Sequence, residues 1–464
     1  MSDSRIDLSA NEMRAFGYRV VDMLVQHLST LKGQPVGAKA VPEEIYAKLT
    51  EPPPEFGVPY EFLLEQLQRD ILPSTMHVNH PRFFAFVPGP GNFVGAMAEA
   101  IAAGYNVFAG TWLGGSAAEA VEIVTIDWLR QLCGFSEGCR GLFVSGGTIA
   151  NLTALTVARH VMLDDRLDGA VVYMSDQAHS SLEKALHVLG FLADRIRRIP
   201  CDEDFRLPLT ALADAIAKDR AAGQRPFCVI ANAGTTNTGA VDPLRELRAL
   251  CDAERMWLHV DGAYGAAAVL APEGRQALDG LELADSLSLD PHKWLYQPFE
   301  TGCVLLRDGA QLRKTFRLLP DYLQDVHRNS EEVNFTDLGI QLTRSFRALK
   351  LWLSFKYFGI AAFRESISRG FRLAELAERT LRKTPGWEIA SRANMAVVCF
   401  CYSAGDDALH AGIVEAMLRD GFALCTSTNI NGRTVLRMCT INPRTTEEDV
   451  VRTIARMDQF ARAK

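Results

Sequence analysis

The sequence predicts an α/β fold built on a mainly parallel central sheet, and three observations carry that expectation. From about residue 93, short apolar runs alternate with stretches of helical periodicity. The runs are apolar on both faces, as strands covered by helices on either side must be. Several of them end in a cluster of glycine, hydroxyl or charged residues, where sheets of this kind gather a ligand.

The elements follow in order. Residues 9–31 open on Ser9-Ala-Asn-Glu12, a capping box, and Met13, Phe16, Val20, Leu24, Leu28 and Leu31 recur at helical spacing. That apolar stripe needs a surface to cover. The proline-rich segment 33–59 cannot supply a core, so the arm is expected to lie across another part of the molecule or a partner subunit. Strands are expected at 142–145, 171–175, 228–231, 257–261, 286–289 and 303–307, with helices at 149–162, 181–190, 209–222 and 243–254. Residues 346–382 read as helix. After them, strands at 397–402 and 435–441 flank a helix near 408–420, a smaller α/β unit. The expected division is an N-terminal helical, dimerising arm (1–92), a large domain (93–363) and a small C-terminal domain (364–464).

Composition excludes several classes. Of 464 residues, 48% are hydrophobic and 23% charged, too apolar for a disordered chain. With 49 Lys and Arg against 56 Asp and Glu, the net charge is −7, so no nucleic-acid partner is expected. Ten cysteines lie scattered without a CxxC pair and the opening MSDSRIDLSANE is polar, which reads as reduced thiols in a cytoplasmic protein with no metal site. Residues 100–118 carry no charge, yet four glycines with Asn106, Thr111 and Ser116 interrupt them. A buried interior or a subunit interface is expected there, and no membrane span.

The chemistry lies at the strand ends. Ser145-Gly146-Gly147-Thr148 joins a strand to a helix, where backbone amides can meet an anion. It is neither a Walker loop nor a nucleophile elbow, since no Lys-Ser/Thr follows and position 143 is Phe. Asp176-Gln177-Ala178-His179-Ser180-Ser181 and Gly234-Thr235-Thr236-Asn237-Thr238-Gly239 follow two further runs, and either alone reads as a polar turn. Asp261 ends an apolar strand beside Gly262 and Ala263, and Asp290-Pro291-His292-Lys293-Trp294 ends the next. A lysine between His and Trp at a strand end is poorly placed as a solvated charge; buried lysines lose their proton readily and form Schiff bases. A phosphate cradle, an aromatic stacker, a buried aspartate and a buried lysine, in that order, describe a pyridoxal phosphate site.

HPRFFAFVP (80–88), SGGTIANLTAL (145–155), DQAHSS (176–181), AGTTNTGAVDPL (233–244), LHVDGAYG (258–265), DSLSLDPHKWLYQP (285–298) and FRALKLW (346–352) resemble the pyridoxal-phosphate-dependent group II amino acid decarboxylases, in the aromatic-L-amino-acid branch. The resemblance implies a fold-type-I enzyme, aspartate aminotransferase-like, that decarboxylates an L-amino acid to an amine as a homodimer with shared active sites. It implies that Lys293 carries the cofactor, that His179 stacks on its ring with Ala263 opposite, and that Asp261 binds the ring nitrogen. Gly146 and Gly147 would hold the phosphate, with Thr236 and His292 nearby. Asp290 stands where animal relatives have asparagine.

The substrate wall carried over by resemblance comprises Phe86, Pro88 and Phe108, beside Val78 and Val87. An apolar wall offers a second carboxylate no partner, so an aromatic or bulky apolar substrate is expected, with Arg82 as the residue that would favour an acidic one. Phe335 aligns with a loop tyrosine (within 323–337) that delivers a proton in relatives. Its loss accompanies an oxidative outcome giving aldehyde, ammonia and peroxide, the alternative to simple decarboxylation. A serine hydrolase using Ser145 with His179 or His259, and another pyridoxal-phosphate lyase or transferase, are the remaining alternatives.

Overall fold

The computed structural model describes residues 6–318 and 332–463. Seven strands form the central sheet: β1 (Arg140–Val144), β2 (Ala170–Ser175), β3 (Ile196–Ile199), β4 (Arg225–Asn232), β5 (Trp257–Asp261), β6 (Ser286–Leu289) and β7 (Gly302–Leu306). Their order is β1-β7-β6-β5-β4-β2-β3. Pairings from β6 to β3 are all parallel, while β7 runs antiparallel to both β1 and β6. The connection between β6 and β7, residues 290–301, holds no helix of the kind that carries a parallel crossover, and the chain returns antiparallel.

Helices cover both faces, and two apolar clusters lie on opposite sides of the sheet. Phe143, Tyr173, Val229 and Leu258 point to one, and Val144, Val172, Met174 and Ile230 to the other. Alternate residues of one strand thus enter different cores, which is why the runs look apolar throughout.

A second sheet, order β10-β11-β9-β8, is wholly antiparallel: β8 (Trp387–Asn394), β9 (Val397–Tyr402), β10 (Thr426–Ile430) and β11 (Arg433–Cys439). The helix Ala348–Lys383 connects the two sheets through a break at Gly359. Phe83 bridges Leu424, and Phe84 is buried in the small sheet's core, so the 80–85 segment packs far from its sequence neighbours.

The N-terminal helix Ala10–Thr30 carries the expected Ser9/Glu12 capping box and buries none of its residues. Residues 100–118 contain the end of the helix Phe93–Gly104 and the start of Trp112–Leu132. Within one chain this stretch is no buried interior: Ile101, Tyr105 and Leu113 are exposed. Among the described residues no helix is long and apolar enough to cross a membrane.

Candidate active site

A cavity of about 340 Å³ opens at the carboxyl ends of β1, β2, β4, β5 and β6. Gly146, Gly147, His179, Thr236, Asp261, Ala263, His292 and Lys293, separated by up to 147 positions, all line it. The parallel strands achieve this, since each delivers its terminal loop to the same edge.

The glycine turn leads into the helix Gly147–Leu163, whose first-turn amides have no helical partner. A Cβ on Gly147 would meet Asp290 Oδ2 at 2.9 Å and the Ala263 methyl at 3.1 Å; one on Gly302 would meet Gly146 Cα at 2.5 Å. Side chains are excluded so that backbone, carboxyl and lysine can crowd one spot.

His179 caps the helix Ser180–Val188, its Nδ1 accepting the Ser181 N–H at 3.2 Å. Burial lowers its pKa and keeps the ring neutral. Asp261 Oδ1 accepts from the Ala263 amide and the Ser288 hydroxyl, both at 3.1 Å, and Oδ2 accepts from Asn151 Nδ2 at 3.1 Å. Lys293 Nζ lies 3.2 Å from Asp290 Oδ2. The neighbouring His292 accepts the Thr301 N–H on Nδ1 at 3.1 Å and brings Nε2 to 3.5 Å from the same aspartate oxygen. Burial lowers the His292 pKa too. Asp290 is 2% exposed and its Oδ1 has no hydrogen-bond partner.

The residues carried over as substrate wall do not join this group within one chain. Phe86 takes a left-handed backbone angle (φ 53°) that leaves its ring 62% exposed, while Arg437 binds its carbonyl. Pro88 is buried, and Phe108 packs against the turn of Gly110, Gly114 and Gly115. Phe335 is buried under the Arg344 guanidinium, 4.7 Å from ring centre, in the core beside β1. Most of its loop, 323–331, lies outside the described residues. Arg82 is spent elsewhere: it binds Asp449 at 3.2 Å and the carbonyls of Phe422 and Lys32, and it stacks on Phe422.

Asn151 and Ser288 escaped the sequence reading. Each is a common polar residue inside an apolar element (IANLTAL and SLSL), and that misplaced polarity was the available signal. The His259 form of the hydrolase alternative fails on geometry, since both ring nitrogens of His259 are held by Ser286 and Asn151.

Pyridoxal 5′-phosphate suits these residues. An amine, a carboxylate at the end of β5 and an imidazole ring share one cavity with a glycine turn at a helix N-terminus, whose first-turn amides suit a phosphate. The comparisons agree. Residues 42–403 match the pyridoxal-dependent decarboxylase conserved domain. An aromatic-L-amino-acid decarboxylase of Bacillus atrophaeus is 47% identical over 98% of this chain and 97% of its own. A phenylacetaldehyde synthase of Petunia hybrida is 31% identical over 94% and 92%. The structure of Oryza sativa TDC with PLP and tryptamine superposes with a TM-score of 0.94 at 28% identity, covering 99% of both chains. This chain therefore belongs to the pyridoxal-dependent decarboxylases and works with pyridoxal 5′-phosphate.

Proposed function

We propose that the enzyme decarboxylates an aromatic L-amino acid to its amine. The observation that carries the substrate class is the Arg82 network. Arg82, the cation nearest in sequence to the expected wall, is already paired and stacked, which removes it as the partner of an acidic side chain. The Bacillus relative's activity points the same way.

When bound, the cofactor supplies the carbonyl that captures the substrate amine and the ring that accepts the electrons of the departing carboxylate. The protein's part is orientation and charge. Lys293 would be the amine that carries the cofactor, with Asp290, 3.2 Å away, as its counter-ion. Asp261, fixed by three donors, would hold negative charge against the ring nitrogen. His179 and Ala263 would flank the ring. The amides of Gly146 and Gly147 would bind the phosphate, with Thr236 and His292 near it.

We further infer a cytoplasmic homodimer with both subunits at each site. The helix Ala10–Thr30 buries nothing, and Ile101, Tyr105 and Leu113 stand exposed, the apolar surface an obligate partner covers. Phe86, exposed within one chain, and the half-buried Phe108 would join the substrate wall only in that assembly. All ten cysteines are free, as a reducing compartment keeps them. A panel of L-amino acids with CO₂ and amine quantified is the test. Aromatic substrates are expected to lead; glutamate outpacing them would overturn the assignment.

A further inference from the structure

Beyond the residues that face the cavity lies a buried polar chain built around one amide. Asn151 is fully buried on the helix Gly147–Leu163 and reaches three groups. Its Nδ2 lies 3.1 Å from Asp261 Oδ2 and 3.2 Å from Ser181 Oγ; its Oδ1 lies 3.0 Å from His259 Nε2. The chain continues at both ends. Ser181 Oγ is 2.9 Å from His179 Nδ1. His259 Nδ1 is 2.9 Å from Ser286 Oγ, which also receives the Trp257 indole N–H at 2.9 Å.

The ends of the chain dictate where its protons stand. An indole only donates, so Ser286 Oγ accepts from Trp257 and gives its own proton to His259 Nδ1. An ionised Asp261 only accepts, so the NH₂ of Asn151 faces it and the amide oxygen faces His259. His259 must then carry its proton on Nε2. Burial pushes its pKa down, and the neutral ring fits this arrangement without a conflict. On the other arm the Ser181 backbone N–H donates to His179 Nδ1, which therefore holds a lone pair and leaves the ring proton on Nε2.

We propose that Asn151 is the positioning residue of this active site, fixing Asp261 as an acceptor aimed at the cofactor ring, with neutral His259 as its prop. The proposal rests on the cofactor reading for its catalytic meaning, but the proton positions belong to the protein alone and are measurable with or without cofactor.

The experiment is histidine-selective ¹⁵N NMR of the full chain, cofactor-free and cofactor-loaded, with His179→Gln and His259→Gln to assign the signals. Both rings are expected as Nε2–H tautomers. Asn151→Asp keeps the shape but turns the donor facing Asp261 into an acceptor. It is expected to lower kcat about 10–100-fold with KM within threefold, the cost of a lost hydrogen bond to a charge. It should also displace the pH profile and the bound cofactor's visible band. Trp257→Phe, at the far end, is expected to change kcat less than threefold. An Nδ1–H tautomer on His259 overturns the proposal. So does Asn151→Asp with a wild-type pH profile and absorbance. Should that variant fail to fold, the tautomers of the native protein decide alone.

Discussion

Two aspartates lie in one cavity, end neighbouring strands and are almost equally buried, 7% exposed for Asp261 and 2% for Asp290. They are equipped in opposite ways. Asp261 accepts three hydrogen bonds from neutral donors that no ligand needs to disturb. Asp290 has only the charged Lys293 and, at 3.5 Å, His292, and one of its oxygens has no partner. The first is finished before any ligand arrives, as a group meant to hold a constant charge should be. The second is left incomplete, and its partner Lys293 is the residue proposed to carry the cofactor.

The largest break in that comparison removes its shared cation. Lys293→Ala is expected to abolish turnover and the visible band of the bound cofactor together, checked by absorbance and CO₂ release. Asp261→Ala should come next. It removes the charge that stabilises the ring's accepted electrons, and a loss of about 10²–10⁴-fold in kcat is expected, with weaker cofactor retention. Wild-type turnover in either variant would show that the site lies elsewhere.

Asp290→Asn sharpens the comparison further, because the amide offers the donor that the carboxylate lacks and does not repel a phosphate. The variant is expected to retain cofactor more tightly, about tenfold in Kd, equivalent to about 1.4 kcal/mol. Equilibrium dialysis at several pH values checks this. Weaker retention would mean that the Asp290–Lys293 pair itself is what organises the empty site.

The same contrast explains how much of this molecule was legible in its sequence. Strands β1, β2, β4, β5, β6 and β7 were readable because each is apolar on both faces, and the cofactor cluster because each member ends a strand. β3 was not, since its IRRI carries two arginines at the sheet edge; Arg197 is satisfied by Asp219, a partner 22 residues away. The helix Trp112–Leu132 was hidden by Gly114 and Gly115 in its first turn. The substrate wall was named by resemblance and stays apart from the cavity within one chain, because its residues are turned outward or into the core. Sequence position says nothing about such rotations. The donors to Asp261 were invisible for a related reason: Asn151 and Ser288 matter only through a carboxylate 110 and 27 residues away.

A third buried carboxyl tests what happens without any nearby cation that a ligand replaces. Glu119 is fully buried, accepts the Phe335 N–H at 3.4 Å and leaves its other oxygen unpartnered. Burial, opposed by that N–H and Arg344, pushes its pKa up to about 7. The native state thus binds this proton more tightly than the unfolded chain, whose carboxyl titrates near its ordinary value. The group's contribution to stability is present at low pH and is lost as pH rises from about 4.5 to about 7. Glu119→Gln removes the titration. At pH 8 the variant is expected to melt several degrees above the wild type, and at pH 5 most of the difference should be gone. Thermal denaturation at both pH values measures it; equal shifts at the two would exclude the titration as cause.

The smallest effect on turnover is expected at the residue whose backbone Glu119 holds. Phe335 aligns by resemblance with a loop tyrosine, and it lies 2% exposed beneath Arg344, outside the cavity that contains Lys293. If the ring keeps that position in the working dimer, the residue neither delivers nor withholds a proton, and the amine forms by protonation from another group. Phe335→Tyr must then bury a hydroxyl in an apolar cluster, at a cost of about 1–3 kcal/mol, and its melting temperature should fall. Its product ratio should not move: amine and CO₂ equal within error, in air as under nitrogen, and peroxide absent in both proteins. The contrary result is just as informative. Aldehyde and peroxide from the wild type, replaced by amine in Phe335→Tyr, would mean that this loop crosses into a neighbouring active site when substrate binds, and that the missing hydroxyl selects the oxidative route.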